Sequence, residues 1–125
     1  MSHYHAVVWL DHGEAHVLHF TPEEVENTQL KSKDAHKKVH AKHTLHEKRK
    51  VDAEFMGNIA AALRGAKEIL VCGPGTAKLE LIRHLHKHAH DVESAVVGVE
   101  TVDHPSDGQL LAHARKYFKA ADRML

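Results

Sequence analysis

Glu68–Leu85, EILVCGPGTAKLELIRHL, decides the fold. Ile69-Leu70-Val71-Cys72 is a short apolar run closed by Gly73-Pro74-Gly75. Such a run, bounded by Gly and Pro, reads as a strand buried on both faces. Past the turn, Leu79, Ile82 and Leu85 recur at helical spacing, and Thr76 stands where a helix cap is needed. The segment predicts a strand, a tight turn and a helix, and hence a helix-covered sheet.

Elements of the same kind lie on either side. Ala6–Leu10 and Ala15–Phe20 flank Asp11-His12-Gly13-Glu14, which has turn chemistry, so residues 6–20 read as a hairpin. Val25–Leu30 is a weakly patterned third strand. From Val51 the period becomes helical: Val51, Phe55, Ile59, Ala62 and Leu63 share one stripe, and Gly65 marks its end. Ser94–Val99 reads as another strand. A last helix is expected from about Asp107 to Met124, with Asp107 as its cap, burying Leu110, Leu111, Ala114, Phe118 and Ala121. The order is β-β-(β)-α-β-α-β-α, an antiparallel meander followed by two βα units. This predicts a mixed sheet with helices on its faces.

With 125 residues, a single domain spanning 1–125 is expected. No apolar run approaches the ~20 residues of a membrane span, and the polar opening MSHYH does not read as a signal peptide. The single cysteine, Cys72, excludes an internal disulfide framework. These features point to a cytoplasmic protein without a membrane partner. Net charge is zero but unevenly spread: residues 1–30 hold five acids and no Lys or Arg, whereas 31–50 hold eight Lys/Arg against two acids. The fifteen histidines would make the chain markedly cationic below about pH 6.5.

Three groups could carry chemistry. The turn at Gly73-Pro74-Gly75-Thr76 could offer free N–H groups to an anion, with Lys78 adding charge. It matches neither GxxxxGK[ST] nor GxGxxG, and a plain strand-to-helix turn is the favoured reading. Lys31, Lys33, Lys37, Lys38, Lys42, Lys48, Arg49 and Lys50 form a dense basic segment. It suits phosphate backbones or, equally, a solvated loop. With no aromatic residue between Phe20 and Phe55, base stacking from it is excluded, and no DNA specificity is expected. His36, His40 and His43, and His84 and His88, have spacings that can ligate Zn²⁺ on a helix. No cysteine or HExxH pattern joins them, so no dedicated metal site and no cofactor are assigned. Catalysis has little support. Cys72 lies in a core strand, and Ser2, Ser32, Ser94 and Ser106 show no nucleophile elbow. Asp11 and Glu14 stand alone near a turn.

ILVCGPGTAKLELIRHL resembles the strand-turn-helix of the central domain of archaeal and eukaryotic class-1 translation release factors and of Pelota. VVGVETVDHPSDGQLLAHARKYF resembles the strand and last helix of that domain, and AVVWLDHGEAHVLHF its first hairpin. The resemblance implies a ribonuclease H-like fold, with a mixed five-stranded sheet and helices on both faces. It points to stand-alone bacterial relatives described as translational-machinery proteins. In release factors the loop before the first long helix carries Gly-Gly-Gln, which enables ester hydrolysis. Here that loop falls within Lys31–Lys50, which contains neither Gly nor Gln, and Gly108-Gln109 reads as helix capping.

The expectation is therefore a non-enzymatic protein associated with the ribosome or ribosomal RNA, of a rescue or stress type. A protein partner could supply the family's other domains. The alternative, from a different class, is a histidine-rich metal- or pH-responsive binding module. A hydrolase inherited from the fold ranks last, because it would need clustered carboxylates around Mg²⁺ and Asp11 alone does not supply them.

Overall fold

The computed structural model of the chain describes residues 4–32 and 52–123. Their elements are β1 (His5–Leu10), β2 (Glu14–Phe20), β3 (Val25–Lys31), α1 (Ala53–Leu63), β4 (Glu68–Gly73), α2 (Ala77–His88), α3 (His90–Glu93), β5 (Val96–Thr101) and α4 (Asp107–Arg123). They build one sheet in the order β3-β2-β1-β4-β5. The β1–β2 and β2–β3 pairs are antiparallel, and the β1–β4 and β4–β5 pairs are parallel. This is the mixed five-stranded α/β architecture expected from the element order, and it is of the ribonuclease H-like type.

Each sheet face has its own core. Ala6, Val8, Leu10, Ala15, Val17, Ile69 and Val71 pack under Phe55, Ile59 and Leu63 of α1, Leu81 and Leu85 of α2, and Val92 of α3. Val7, Trp9, Leu18, Phe20, Leu70 and Cys72 pack under Leu110, Ala114 and Phe118 of α4. Successive strand side chains alternate between faces, so β1 and β4, covered on both, are apolar throughout their middles. Burying each of these large side chains contributes about 1.5–3 kcal/mol.

The edges explain the weak patterns. β3 is an edge strand, and its side chains from Val25 to Gln29 are exposed. β5 is the other edge; it begins at Val96, two residues later than expected, with a register irregularity beside Ile69 and Leu70.

Helix ends follow local chemistry. Asp52 has extended backbone angles and its Oδ1 accepts the Phe55 N–H at 3.0 Å, capping α1. Gly65, at φ 97°, turns the chain out of that helix. Thr76 does not cap α2 as expected. Its backbone is already helical (φ −93°, ψ −8°), and its side chain makes no capping hydrogen bond. Its carbonyl oxygen accepts the N–H groups of Leu79 and Glu80 instead. The buried stripe of α2 also differs from the expected one. It runs through Ala77, Lys78, Leu81 and Leu85, leaving Ile82 half-buried and Leu79 exposed. At the start of α4, Ser106 Oγ accepts the Gln109 N–H at 3.1 Å while Gln109 Oε1 accepts the Ser106 N–H at 3.0 Å. This reciprocal pair caps the helix, which frees Asp107 from the capping role expected of it. Leu110, Ala114 and Phe118 are buried as expected and Leu111 is half-buried. The side chain of Ala121, like Val51, lies outside the described residues.

Candidate functional site

One end of the sheet gathers most of the polar chemistry. β1, β4 and β5 end there, β2, α1, α2 and α4 begin there, and β3 delivers its last residue there. Ligands of open α/β sheets bind outside the carboxyl ends of parallel strands, so this end is the place to look.

The glycine turn after β4 is a structural turn. A side chain at Gly73 would meet the Leu10 carbonyl oxygen at 2.3 Å, so close β1–β4 approach accounts for that glycine. Lys78 is buried, and its Nζ donates to the Gly75 carbonyl oxygen, so its charge is directed back onto the turn. The favoured reading of this stretch as a plain turn agrees with that geometry.

Of the eight basic residues assigned to RNA contact, Lys31 is described: it ends β3, exposed, opposite Glu14 of β2. Lys33, Lys37, Lys38, Lys42, Lys48, Arg49 and Lys50 lie outside the described residues, as do His36, His40, His43 and His46. The two ends of that segment are described, and they meet. Ser32 donates its N–H to the Gly13 carbonyl oxygen at 2.9 Å and its hydroxyl to Asp52 Oδ2 at 2.7 Å. Asp52 is also the α1 cap, so Ser32 and Asp52 meet at one point beside the β1–β2 turn.

A polar cluster that sequence reasoning missed lies at the same end. Glu14 and His16, two apart on β2, point to the α4 side of the sheet. Glu14 Oε1 is 3.3 Å from His16 Nε2, and Glu14 Oε2 is 3.1 Å from His104 Nε2. His104 is held in the loop after β5 by Trp9. The indole Nε1 donates to the Asp103 carbonyl oxygen at 2.9 Å, and the Trp9 and His104 ring centroids lie 4.2 Å apart. On the far side of His16, Nδ1 lies 2.9 Å from Asp107 Oδ1, an ion-pair distance. That nitrogen is buried and makes no aligned hydrogen bond. Asp107 Oδ2 accepts from Asn27 Nδ2 at 2.6 Å, anchoring the carboxylate to β3. The hydrogen bond between Glu14 and His104 holds the Glu14 carboxyl below the usual carboxylate range and raises the His104 imidazolium above the usual histidine range.

Two groups of three His and Glu donors lie close enough to share an ion among the described residues: Glu14, His16 and His104, and His86, His90 and Glu93. The second is on the outside of α2 and α3, where Glu93 lies 3.1 Å from His86 and 3.6 Å from His90. His84 and His88, singled out by spacing, do come together, with ring centroids 4.8 Å apart. Burial, and then the charge of His88, lowers the His84 pKa.

Cys72 and Asp11 take structural roles. Cys72 is fully buried, and burial, aided by nearby Glu100, pushes its thiol up to about 12, so it is not a nucleophile at neutral pH. Asp11 Oδ1 accepts the Gly13 and Glu14 N–H groups at 2.8 and 2.9 Å, a turn role. No helix among the described residues is long and apolar enough to cross a membrane.

No family model and no curated protein matches this sequence. Solved structures do match its fold. The chain is similar to Pelota of Archaeoglobus fulgidus, with TM-score 0.63 and 19% identity over 90% of this chain and 30% of that one. Pelota of Thermoplasma acidophilum gives TM-score 0.62 and 19% identity over 86% of this chain and 30% of that one. An archaeal translation termination factor, aRF1, gives TM-score 0.54 and 16% identity over 96% of this chain and 38% of that one. The chain thus spans about a third of the length of these proteins, and what it shares with them is the fold of one domain, Pelota-like and release-factor-like.

Proposed function

We propose that this chain is a translation-related, ribosome-associated protein that contacts ribosomal RNA through its basic segment 31–50 and does not release peptide. The observation carrying this reading is the Ser32–Asp52 hydrogen bond at the carboxyl end of the sheet. It joins Ser32 and Asp52, the described residues on either side of 33–51, at one point of the α/β body, beside Lys31. The shared fold with Pelota and aRF1 supports a place in translation. Phosphate contacts of this kind carry no base readout, and the segment has no aromatic residue to add one. The lack of Gly and Gln in 31–50 argues against peptide release on the release-factor pattern. The reading extends to a cytoplasmic protein of rescue or stress type, of the stand-alone kind the resemblance implies.

Binding to purified ribosomal RNA across a salt series tests it. If all eight cations met phosphates, the slope of log K against log salt would reach about −6, at roughly −0.7 per contact. Reversing Lys37, Lys38, Lys48 and Arg49 to Glu should weaken binding and roughly halve that slope. Unchanged binding by the reversed protein would remove the segment from the interface.

The histidine-based alternative, a metal- or pH-responsive module, finds donors in Glu14, His16 and His104, while His36, His40 and His43 lie outside the described residues.

A further inference from the structure

We propose that Glu14, His16 and His104 form a binding site for a divalent transition-metal ion of the zinc class. The site is independent of the ribosome reading. Its donors come from two distant parts of the chain, β2 and the loop that leads into α4, and are brought together by the fold.

The donor geometry is close to what such an ion needs. At metal–nitrogen distances of 2.0–2.1 Å, neighbouring donors of a tetrahedral site lie about 3.3 Å apart. Glu14 reaches both imidazoles, His16 Nε2 at 3.3 Å through Oε1 and His104 Nε2 at 3.1 Å through Oε2. All three donor atoms lie within 4.8 Å of one another. With one atom from each residue, any edge longer than the tetrahedral value has to close by about 1.5 Å at most, and His104, whose side chain is 53% exposed, has room to move.

The surroundings point the same way. His16 Nδ1 is buried and is 2.9 Å from Asp107 Oδ1 without an aligned hydrogen bond. A buried imidazole nitrogen in that state calls for a partner that sets its ring. An ion on Nε2 would place the proton on Nδ1 and turn it to Asp107, giving the carboxylate–histidine–metal arrangement that ligating histidines favour. Asp107 is itself held by Asn27 at 2.6 Å. Trp9 packs against both imidazoles, with ring centroids 6.0 Å from His16 and 4.2 Å from His104. This is the apolar wall that holds ligands in place. Two imidazoles and one carboxylate suit Zn²⁺, with a fourth position open to water on the exposed His104 side. Bound there, the ion would tie β2 to the loop before α4.

The His86, His90 and Glu93 group is the internal comparison. Its side chains are 70%, 73% and 30% exposed, and among the described residues no carboxylate outside the group pairs with its histidines.

The test is calorimetric titration of the untagged, chelator-treated full chain with zinc chloride. It is run beside His104→Gln, Asp107→Asn and the double variant His86→Gln/His90→Gln. The expected result is one stoichiometric site, weakened more than about 100-fold by His104→Gln and about 10–100-fold by Asp107→Asn, and kept by the His86/His90 variant. His104 is on an exposed loop, so that variant should keep its fold, checked by circular dichroism. If His16→Gln folds, it should behave like His104→Gln. A site that survives His104→Gln, a site lost only in the His86/His90 variant, or no stoichiometric binding would each overturn the assignment.

Discussion

A Cβ on Gly73 would lie 2.3 Å from the Leu10 carbonyl oxygen, and backbone cannot move aside as a flexible side chain can. Gly73→Ala must push β4 from β1 at the centre of the sheet, so a loss of about 1–3 kcal/mol is expected, read as a lower urea midpoint at unchanged m-value. Wild-type stability in Gly73→Ala would show that the strands have room that this packing denies. His84 makes a pH statement at the same scale. Burial first, and the charge of His88 second, lower its pKa from 6.5. Below pH 6.5 the unfolded chain takes up this proton more readily than the folded one. This histidine therefore subtracts stability as pH falls through its lowered folded value. His84→Gln should flatten the decline of melting temperature between pH 7 and pH 5 relative to wild type, with no difference at pH 8. A parallel decline in both proteins would remove His84 as the cause.

At the scale of the element, Asp52 does two jobs: it caps α1 through the Phe55 N–H and accepts the Ser32 hydroxyl. Asp52→Ala should cost about 0.5–2 kcal/mol and speed hydrogen exchange in the first turn of α1, whereas Asp52→Asn, which can still cap, should cost less. Equal losses in the two variants would contradict the capping account. What could be read from sequence follows from how each element is covered. β1 and β4 read clearly because both their faces are buried, which makes them continuous apolar runs. β3 read weakly because an edge strand exposed at Val25 to Gln29 carries little alternation to see. In α2, the set Leu79, Ile82, Leu85 and the set Ala77, Leu81, Leu85 both fit a helical period. Only packing against the sheet selects the second. Glu14 looked solitary for a different reason. Its partner His104 is 90 residues away and the Asp107 beside His16 is further still, so no local spacing could reveal the cluster. Its one local signal was Glu14 and His16 at a strand period of two.

The described residues form one sheet with a helical layer on each face, and the Glu14–His16–His104 cluster lies at the end where the parallel strands stop. That end also holds Lys31 and the Ser32–Asp52 hydrogen bond. The likeness to Pelota and aRF1 at 16–19% identity lies in the fold alone. Placing the chain in translation rests on joining that fold to the charge of segment 31–50. Co-sedimentation of the untagged protein with ribosomes from its own host tests the claim most directly, at low and high salt and at pH 6 and pH 8. The account predicts binding that weakens steeply with salt, through loss of phosphate contacts, and strengthens at pH 6, where His36, His40, His43 and His46 add positive charge. Absence of binding in all four conditions would contradict it.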